Sequence, residues 1–409
     1  MRIADMRKYK CGFQKDKINI FYLYFYFSKF ILYMPFFALF FEKIRGINNA
    51  QIIQILAIYS ISRVLLEIPT GVVSDRYGEK ISLVIGSFSL FIAIILLTFG
   101  TLALIVFGEI LFAMGEAFYS GSDEALLYHY FKNNKKSLES KHKRYDATIA
   151  NCLSLSWLSL ALAALLGQFL ALRNLFFPFY GTIISFLIAI FVIIQLPKSE
   201  ISNRRTNMLS ILKHSLIYIH HNSALKFWLL ISSLFLSVLI VGYFLLQPYL
   251  NELNIAGPYN GFLYFLITLF AFISSKSQSY FGKKVNNKNL LLIILCLFLS
   301  LTFLFFSLLK TMIGFIIGAC LFRTLWGYVL PFFYQELNYS IKEDSLRSSI
   351  LSFNSLMTSL FGSILLWLFS LYSHSIKLDY LILGSLIGLL MLILLSNSIY
   401  LKKTGKTNI

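Results

Sequence analysis

Charge is scarce in this chain. Asp and Glu number 18 and Lys and Arg 36 among 409 residues, so only 13% of the sequence is charged. That is about half the share of an ordinary globular domain and too little to coat a soluble surface. Apolar residues take the space, at 58% of the chain with a mean hydropathy of +0.74, so the chain reads as an integral membrane protein. The four cysteines, Cys11, Cys152, Cys296 and Cys320, are scattered without the paired spacing of a metal site and read as packing residues. No phosphate loop, zinc helix or nucleophile motif occurs, and the histidines His129, His142, His214, His220, His221 and His374 fall in loops or at span ends. These absences exclude ATP-driven pumping and intramembrane catalysis, and no cofactor or metal is expected. A cleavable signal peptide is not expected either, because the first apolar run is too long and lacks a small-residue cleavage site.

Apolar windows give twelve candidate spans, at roughly 18–41, 51–74, 81–99, 102–129, 149–172, 176–196, 226–250, 258–275, 289–309, 311–337, 347–373 and 376–401. Each must be helical, since lipid cannot satisfy an open backbone. The net charge of +18 does not imply nucleic acid, which would need the bases gathered on one soluble face. Lys and Arg concentrate instead in the N-terminal tail and in every second loop. The opposite loops hold only Lys43, Arg45, Arg173, Lys310 and Lys377. This asymmetry predicts an inner (cytoplasmic) membrane protein with both termini cytoplasmic. The longest polar gap includes Arg204-Arg205, Lys213, His214 and His220-His221. It divides the chain into a six-helix bundle at 1–197, a cytoplasmic loop at 198–225 and a second six-helix bundle at 226–409. Matching Gly and Glu nine residues apart, Gly115/Glu124 in span four and Gly327/Glu336 in span ten, suggest parallel repeats.

Between the second and third spans stands Gly71-Val72-Val73-Ser74-Asp75-Arg76-Tyr77-Gly78-Glu79-Lys80. It resembles the loop signature of the major facilitator superfamily, Gly-x-x-x-Asp-Arg-x-Gly-x-Lys, and spacing, span number and side agree. The departure is Glu79, where the family usually carries a base. Gly282-Lys283-Lys284 is a degenerate echo at the equivalent place in the second half. Gly71 lets its helix approach a neighbour closely, and Gly78 supplies the turn. The resemblance implies an all-α fold of twelve transmembrane helices in two bundles. It further implies that Asp75 faces the N-terminus of the eleventh helix, near Ser345-Leu346-Arg347-Ser348, and that Arg76 and Lys80 pair with Asp123 and Glu124 as a gating latch. Pro35, Pro69, Pro248 and Pro331 are expected to interrupt spans one, two, seven and ten.

Charges inside spans are costly and point to function. Arg63 and Glu67, four apart, suit a structural ion pair. Glu109, Glu116 and Asp123 recur every seven residues and predict an acidic stripe on span four. Burial favours the neutral acid and a nearby cation the carboxylate, so Glu116, with Glu109 second, is the proton-coupling candidate. A fixed salt bridge from Glu116 to Lys29 or Arg323 is the alternative. The resemblance places spans one, four, seven and ten around a central cavity, where Lys29 and Arg323 would suit an anionic substrate, with Tyr26, Tyr33, Tyr243 and Phe244 as further lining. The functional expectation is proton-coupled export of a small drug-like or siderophore-like molecule by a monomer whose partners are substrate, protons and lipid. Import of a nutrient or metal-chelating carboxylate, and a non-transporting membrane sensor, are the alternatives. The basic residue in span four and the Gly-Pro motif in span five that often mark drug exporters are absent.

Overall fold

The computed structural model describes residues 18–47, 49–132, 138–197, 208–252, 260–281, 288–308, 311–343, 346–372 and 376–403. These form α-helices and short turns, with no strand among them. The first half comprises α1 (Ile18–Phe27), α2 (Phe37–Arg45), α3 (Asn49–Tyr77), α4 (Glu79–Phe99), α5 (Leu102–Tyr119), α6 (Ser122–Lys132), α7 (Leu138–Ala171) and α8 (Phe177–Gln195). A short helix, α9 (Met208–His221), precedes the second half: α10 (Ser223–Glu252), α11 (Asn260–Phe281), α12 (Lys288–Leu308), α13 (Met312–Ser340), α14 (Arg347–Tyr372) and α15 (Ile376–Lys403). Eight helical stretches are long and apolar enough to cross a membrane by length and composition. The broken pair α1–α2 with α3, α11 and α15 brings the spanning units to twelve.

The buried apolar side chains fall into two clusters. One draws on α1 to α8 and includes Tyr24, Phe41, Leu90 and Phe186. The other is built almost wholly from α9 to α15, around Phe235, Phe303, Phe322 and Tyr380, with Val72 and Ala125 reaching in from the first half. Between them runs a seam where α7 packs along α11 and α3 along α14.

Two spans are broken, and the prolines are not the general cause. α3, α10 and α13 continue as helix through Pro69, Pro248 and Pro331, because one missing backbone bond is tolerated where neighbouring helices and hydroxyls hold the chain. Thr70, for instance, donates to the Ala117 carbonyl of α5 at 3.1 Å and so ties the helix to its neighbour beside Pro69. Span one is broken over residues 28–33 before a 3-10 turn at Met34–Phe36 that holds Pro35. The freed backbone groups of this break are met by hydroxyls from two other helices. Ser156 donates to the Phe25 carbonyl at 3.0 Å, Ser159 to Tyr26 at 2.6 Å and Ser185 to Phe27 at 2.9 Å, while the Leu32 N–H donates to Thr182 at 3.0 Å. Span four is broken at Ser120–Gly121, where Gly121 has φ of 73° and no proline is present. Asp123 therefore begins a separate helix, and the seven-residue stripe expected from Glu109 ends at Glu116.

The serine ladder carries a testable consequence. Ser156→Ala together with Ser159→Ala leaves the buried Phe25 carbonyl unmet, at about 1–3 kcal/mol for such a group, and strips the shorter of two bonds from the Tyr26 carbonyl, which keeps the Lys29 N–H at 3.3 Å. A melting temperature lowered by several degrees in detergent is the expected result. An unchanged value would show that the break is held by packing alone.

Candidate functional site

A cavity of about 410 Å³ lies between the halves, walled by α1, α3, α5, α6 and α7 on one side and α10, α13 and α14 on the other. The break in span one is what brings Lys29 to it, because the turn at 28–33 frees Lys29 from the helix direction of α1. Its Nζ meets the two carboxylate oxygens of Glu116 at 3.0 and 3.3 Å. Lys29 also stands just past the C-terminus of a half-helix, the end that favours a cation. Arg63 lies 4.0 Å from the other side of Glu116, and its Nε donates to Glu67 at 3.1 Å. Tyr59 accepts from Arg63 at 3.2 Å, and Ser355 of α14 donates to Glu67 at 2.6 Å, joining this chain of charges to the second half. Two cations and two carboxylates are thus balanced. Glu116 is salt-bridged to Lys29 and not to Arg323.

Arg323 has a different environment. It is 5% exposed, and no carboxylate pairs with it among the described residues. Its guanidinium carbon sits 4.2 Å from the ring centre of Tyr243, 5.2 Å from Trp326 and 5.4 Å from Trp157, and its Nε makes no hydrogen bond. Cation–π contact offsets part of the desolvation of a buried guanidinium but supplies no counter-charge. The three rings line the cavity, and Arg323, packed against them, is not itself part of the lining. Phe244 also lines it. Tyr33 does not: it is buried in the first-half core, stacked on Phe179 at 4.8 Å. Tyr26 stacks on Phe30 at 5.4 Å.

Glu109 is 4% exposed in mid-helix and makes no hydrogen bond or ion pair among the described residues. It lies about two helical turns from Glu116, outside the cavity lining, within electrostatic reach of the hydroxyls of Tyr33 and Tyr59.

At one end of the seam the motif loop joins the halves. The carboxylate of Asp75 accepts from the Ser349 N–H in the first turn of α14 at 2.9 Å, where the helix dipole favours negative charge. Gly71 is in contact there, since a Cβ on it would fall 2.7 Å from Cβ and Oγ of Ser352. Gly78 takes φ of 94°, which favours glycine. The pairing of Arg76 and Lys80 with Asp123 and Glu124 is not found. Lys80, in the first turn of α4, donates at 2.6 Å to the carbonyls of Ile194 and Leu196, the unmet groups ending α8. Arg76 is exposed against the ring of Tyr77. Asp123 and Glu124 open α6 and line the cavity, with the Glu124 N–H donating to Asp123 at 3.0 Å. Glu79, the departure from the signature, accepts from His129 of α6 at 2.9 Å.

Residues that sequence reasoning left aside reinforce this end. Asn338 of α13 donates to the Tyr145 hydroxyl at 3.0 Å, Gln335 donates to the Asp146 carbonyl at 3.3 Å, and Tyr339 bonds the Asp146 carboxylate. Arg347 is fully buried, caps the end of α13 through Asn338 and Ile341, and lies 3.7 Å over the ring of Tyr128. Near the other end of the seam Gln168 accepts from the Gly261 N–H at 2.9 Å, and Phe169 meets Phe262 edge-on at 5.7 Å. The echo at Gly282-Lys283-Lys284 lies outside the described residues.

A family model described as Major Facilitator Superfamily matches residues 18–365. Among solved structures, the human organic anion transporter MFSD10 (TETRAN) superposes with a TM-score of 0.73 at 12% identity, over 93% of this chain and 99% of that one. The transporter FucP in its outward conformation, which is a fucose:proton symporter from E. coli, superposes with a TM-score of 0.64 at 12% identity, over 92% of this chain and 96% of that one. No curated protein matches the sequence.

Proposed function

The chain belongs to the major facilitator superfamily and is a secondary transporter, and from that premise we propose that it moves a small amphipathic organic anion, coupled to protons, by alternating access. The observation that carries the substrate class is Arg323, a buried cation without a carboxylate, behind an aromatic wall formed by Tyr243, Trp157 and Trp326. Such a group is completed by a ligand that brings its own negative charge and an apolar body. Lys29 and Arg63 are neutralised by Glu116 and Glu67, so they shape the cavity and leave Arg323 as the anchor. One structural neighbour is an organic anion transporter. At 12% identity that likeness concerns fold alone, and the assignment rests on Arg323.

Proton coupling falls to Glu109 ahead of Glu116 in this reading. Glu116 is held by two cations, whereas Glu109 is a buried carboxyl with no partner to keep it ionised. The end of the seam bearing Asp75 is the cytoplasmic gate, with Asp75–Ser349 as its latch and both termini on that side. The pathway forms within one chain, so the protein works as a monomer in the inner membrane. Export is the preferred direction, because an inside-negative potential favours outward movement of an anion by about 2.3 kcal/mol per charge per 100 mV.

The test is accumulation in inside-out vesicles under an imposed pH gradient, using anionic dyes and iron-chelating carboxylates beside neutral and cationic analogues. Gradient-dependent accumulation of anions is expected. Selective accumulation of cations would overturn the substrate class, and movement only in right-side-out vesicles would reverse the direction.

A further inference from the structure

A second cavity lies away from the transport path, where α9 crosses the ends of α10 and α14. It has a volume of about 350 Å³ and is lined by Leu216 and Ile219 of α9, Leu229 and Leu230 of α10, and Phe353 and Met357 of α14, with Lys226 and His220 as its polar members. Leu216 and Leu230 are exposed at 44% and 43%, as is their neighbour Ile217, so the apolar lining continues onto the outer surface. Water there would find few polar partners. Lys226 pairs with no carboxylate among the described residues and sits in the first turn of α10. α9 is fastened from its other side. The Tyr218 hydroxyl accepts from the Lys342 N–H at 2.9 Å, and Asn222 donates to the Ser340 carbonyl at 3.3 Å. The groove is therefore built by the fold, beside the end of α10 where its apolar stretch begins.

We propose that this groove holds an anionic phospholipid of the leaflet on the Asp75 side, with one acyl chain between α9, α10 and α14 and its phosphate on Lys226 and His220. The chemistry is complementary at both ends: a lysine with no carboxylate partner among the described residues, beside a histidine that can donate to a phosphate, for the headgroup, and an aliphatic and aromatic trough for the chain. That leaflet is the anionic one if the orientation proposed above holds. The groove and its charge do not depend on the transport assignment. Because α14 carries the amide that Asp75 accepts from, a lipid seated against Phe353 and Met357 braces the helix on which that end of the seam closes.

The experiment is native mass spectrometry and thermal unfolding of the purified full chain, with phosphatidylglycerol and phosphatidylcholine added separately. Phosphatidylglycerol is expected to bind and raise the unfolding temperature, with phosphatidylcholine binding about fivefold or more weaker. Lys226→Glu should weaken phosphatidylglycerol at least fivefold, the effect of ~1 kcal/mol per basic residue near a headgroup. Met357→Trp, which keeps the charge and fills the trough, should do the same. Equal binding of the two lipids, or phosphatidylglycerol binding indifferent to both variants, would overturn the proposal. So would equal competition by soluble glycerol phosphate, which would mark a free-phosphate site.

Discussion

Arg323→Gln is expected to raise the concentration of an amphipathic anion needed for half-maximal transport by about 10- to 100-fold, with little change for a neutral analogue. The magnitude follows from the loss of a charge–charge attraction across the ring wall, about 2–3 kcal/mol for charges roughly 6–8 Å apart at an effective dielectric of about 20, at 1.4 kcal/mol per tenfold. The asymmetry follows from geometry. Tyr243, Trp326 and Trp157 hold the guanidinium within 4.2–5.4 Å of their centres with no carboxylate paired to it among the described residues, so an anionic ligand supplies the charge that Arg323 lacks. Arg323→Lys keeps the charge but loses the planar group that stacks on rings and grips a carboxylate at two points. An intermediate loss is expected for it. Trp157 and Trp326 report on the site, and quenching of their emission by the anion should disappear in Arg323→Gln while persisting for apolar quenchers. Equal losses for anionic and neutral compounds would reduce Arg323 to a packing residue.

The span pattern and the motif were readable because each rests on a physical requirement that leaves a local mark. Lipid demands some twenty apolar residues per crossing, and a tight charged turn between two helices demands glycine at Gly78. The Asp75 contact with the first turn of α14 could be anticipated for the same reason, since a carboxylate beside helix N–H groups has one favoured place. The break in span four was not readable, and that in span one only in part, since Pro35 marked the span and stands in the 3-10 turn that closes the break. Proline drew attention to Pro69, Pro248 and Pro331, where helix continues. The signal for the break at Ser28–Tyr33 lay in two other segments, as Ser156 and Ser159 of α7 and Thr182 and Ser185 of α8, whose hydroxyls replace helix hydrogen bonds across helix–helix interfaces. Continuity was likewise assumed for Glu109, Glu116 and Asp123. Heptad spacing aligns side chains only while one helix persists, and this one ends at Tyr119. Lys80 was assigned to an acid, although the unmet carbonyls at the end of α8 also accept from an ammonium and are the groups it meets. The trio of rings around Arg323 comes from three different helices, and no spacing within one span could have assembled it.

The second large effect is expected at Glu109. Glu109→Gln should abolish gradient-driven accumulation while leaving substrate exchange across the membrane intact, because Gln fills the same volume and keeps the helix packed but carries no proton. Glu109 stands in mid-helix, 4% exposed, with no hydrogen bond or ion pair among the described residues. An ionised carboxylate at such depth costs at least ~2.5–3.5 kcal/mol. A shift that admits water or a cation to it would release the proton, which is the property a coupling group needs. Glu116 is the second candidate on this reading, since Lys29 at 3.0 Å and Arg63 at 4.0 Å already pair with it. Removing its charge by Glu116→Gln leaves Lys29 without its partner in a part-buried site, a change expected to destabilise the fold by up to ~3–5 kcal/mol. The two variants therefore separate in different assays. Glu109→Gln should melt near the parent temperature and lose only coupling, whereas Glu116→Gln should lose stability and exchange together. Coupling retained in Glu109→Gln and lost in a folded, exchanging Glu116→Gln would return the role to Glu116 and make the Lys29 contact the step that breaks during transport.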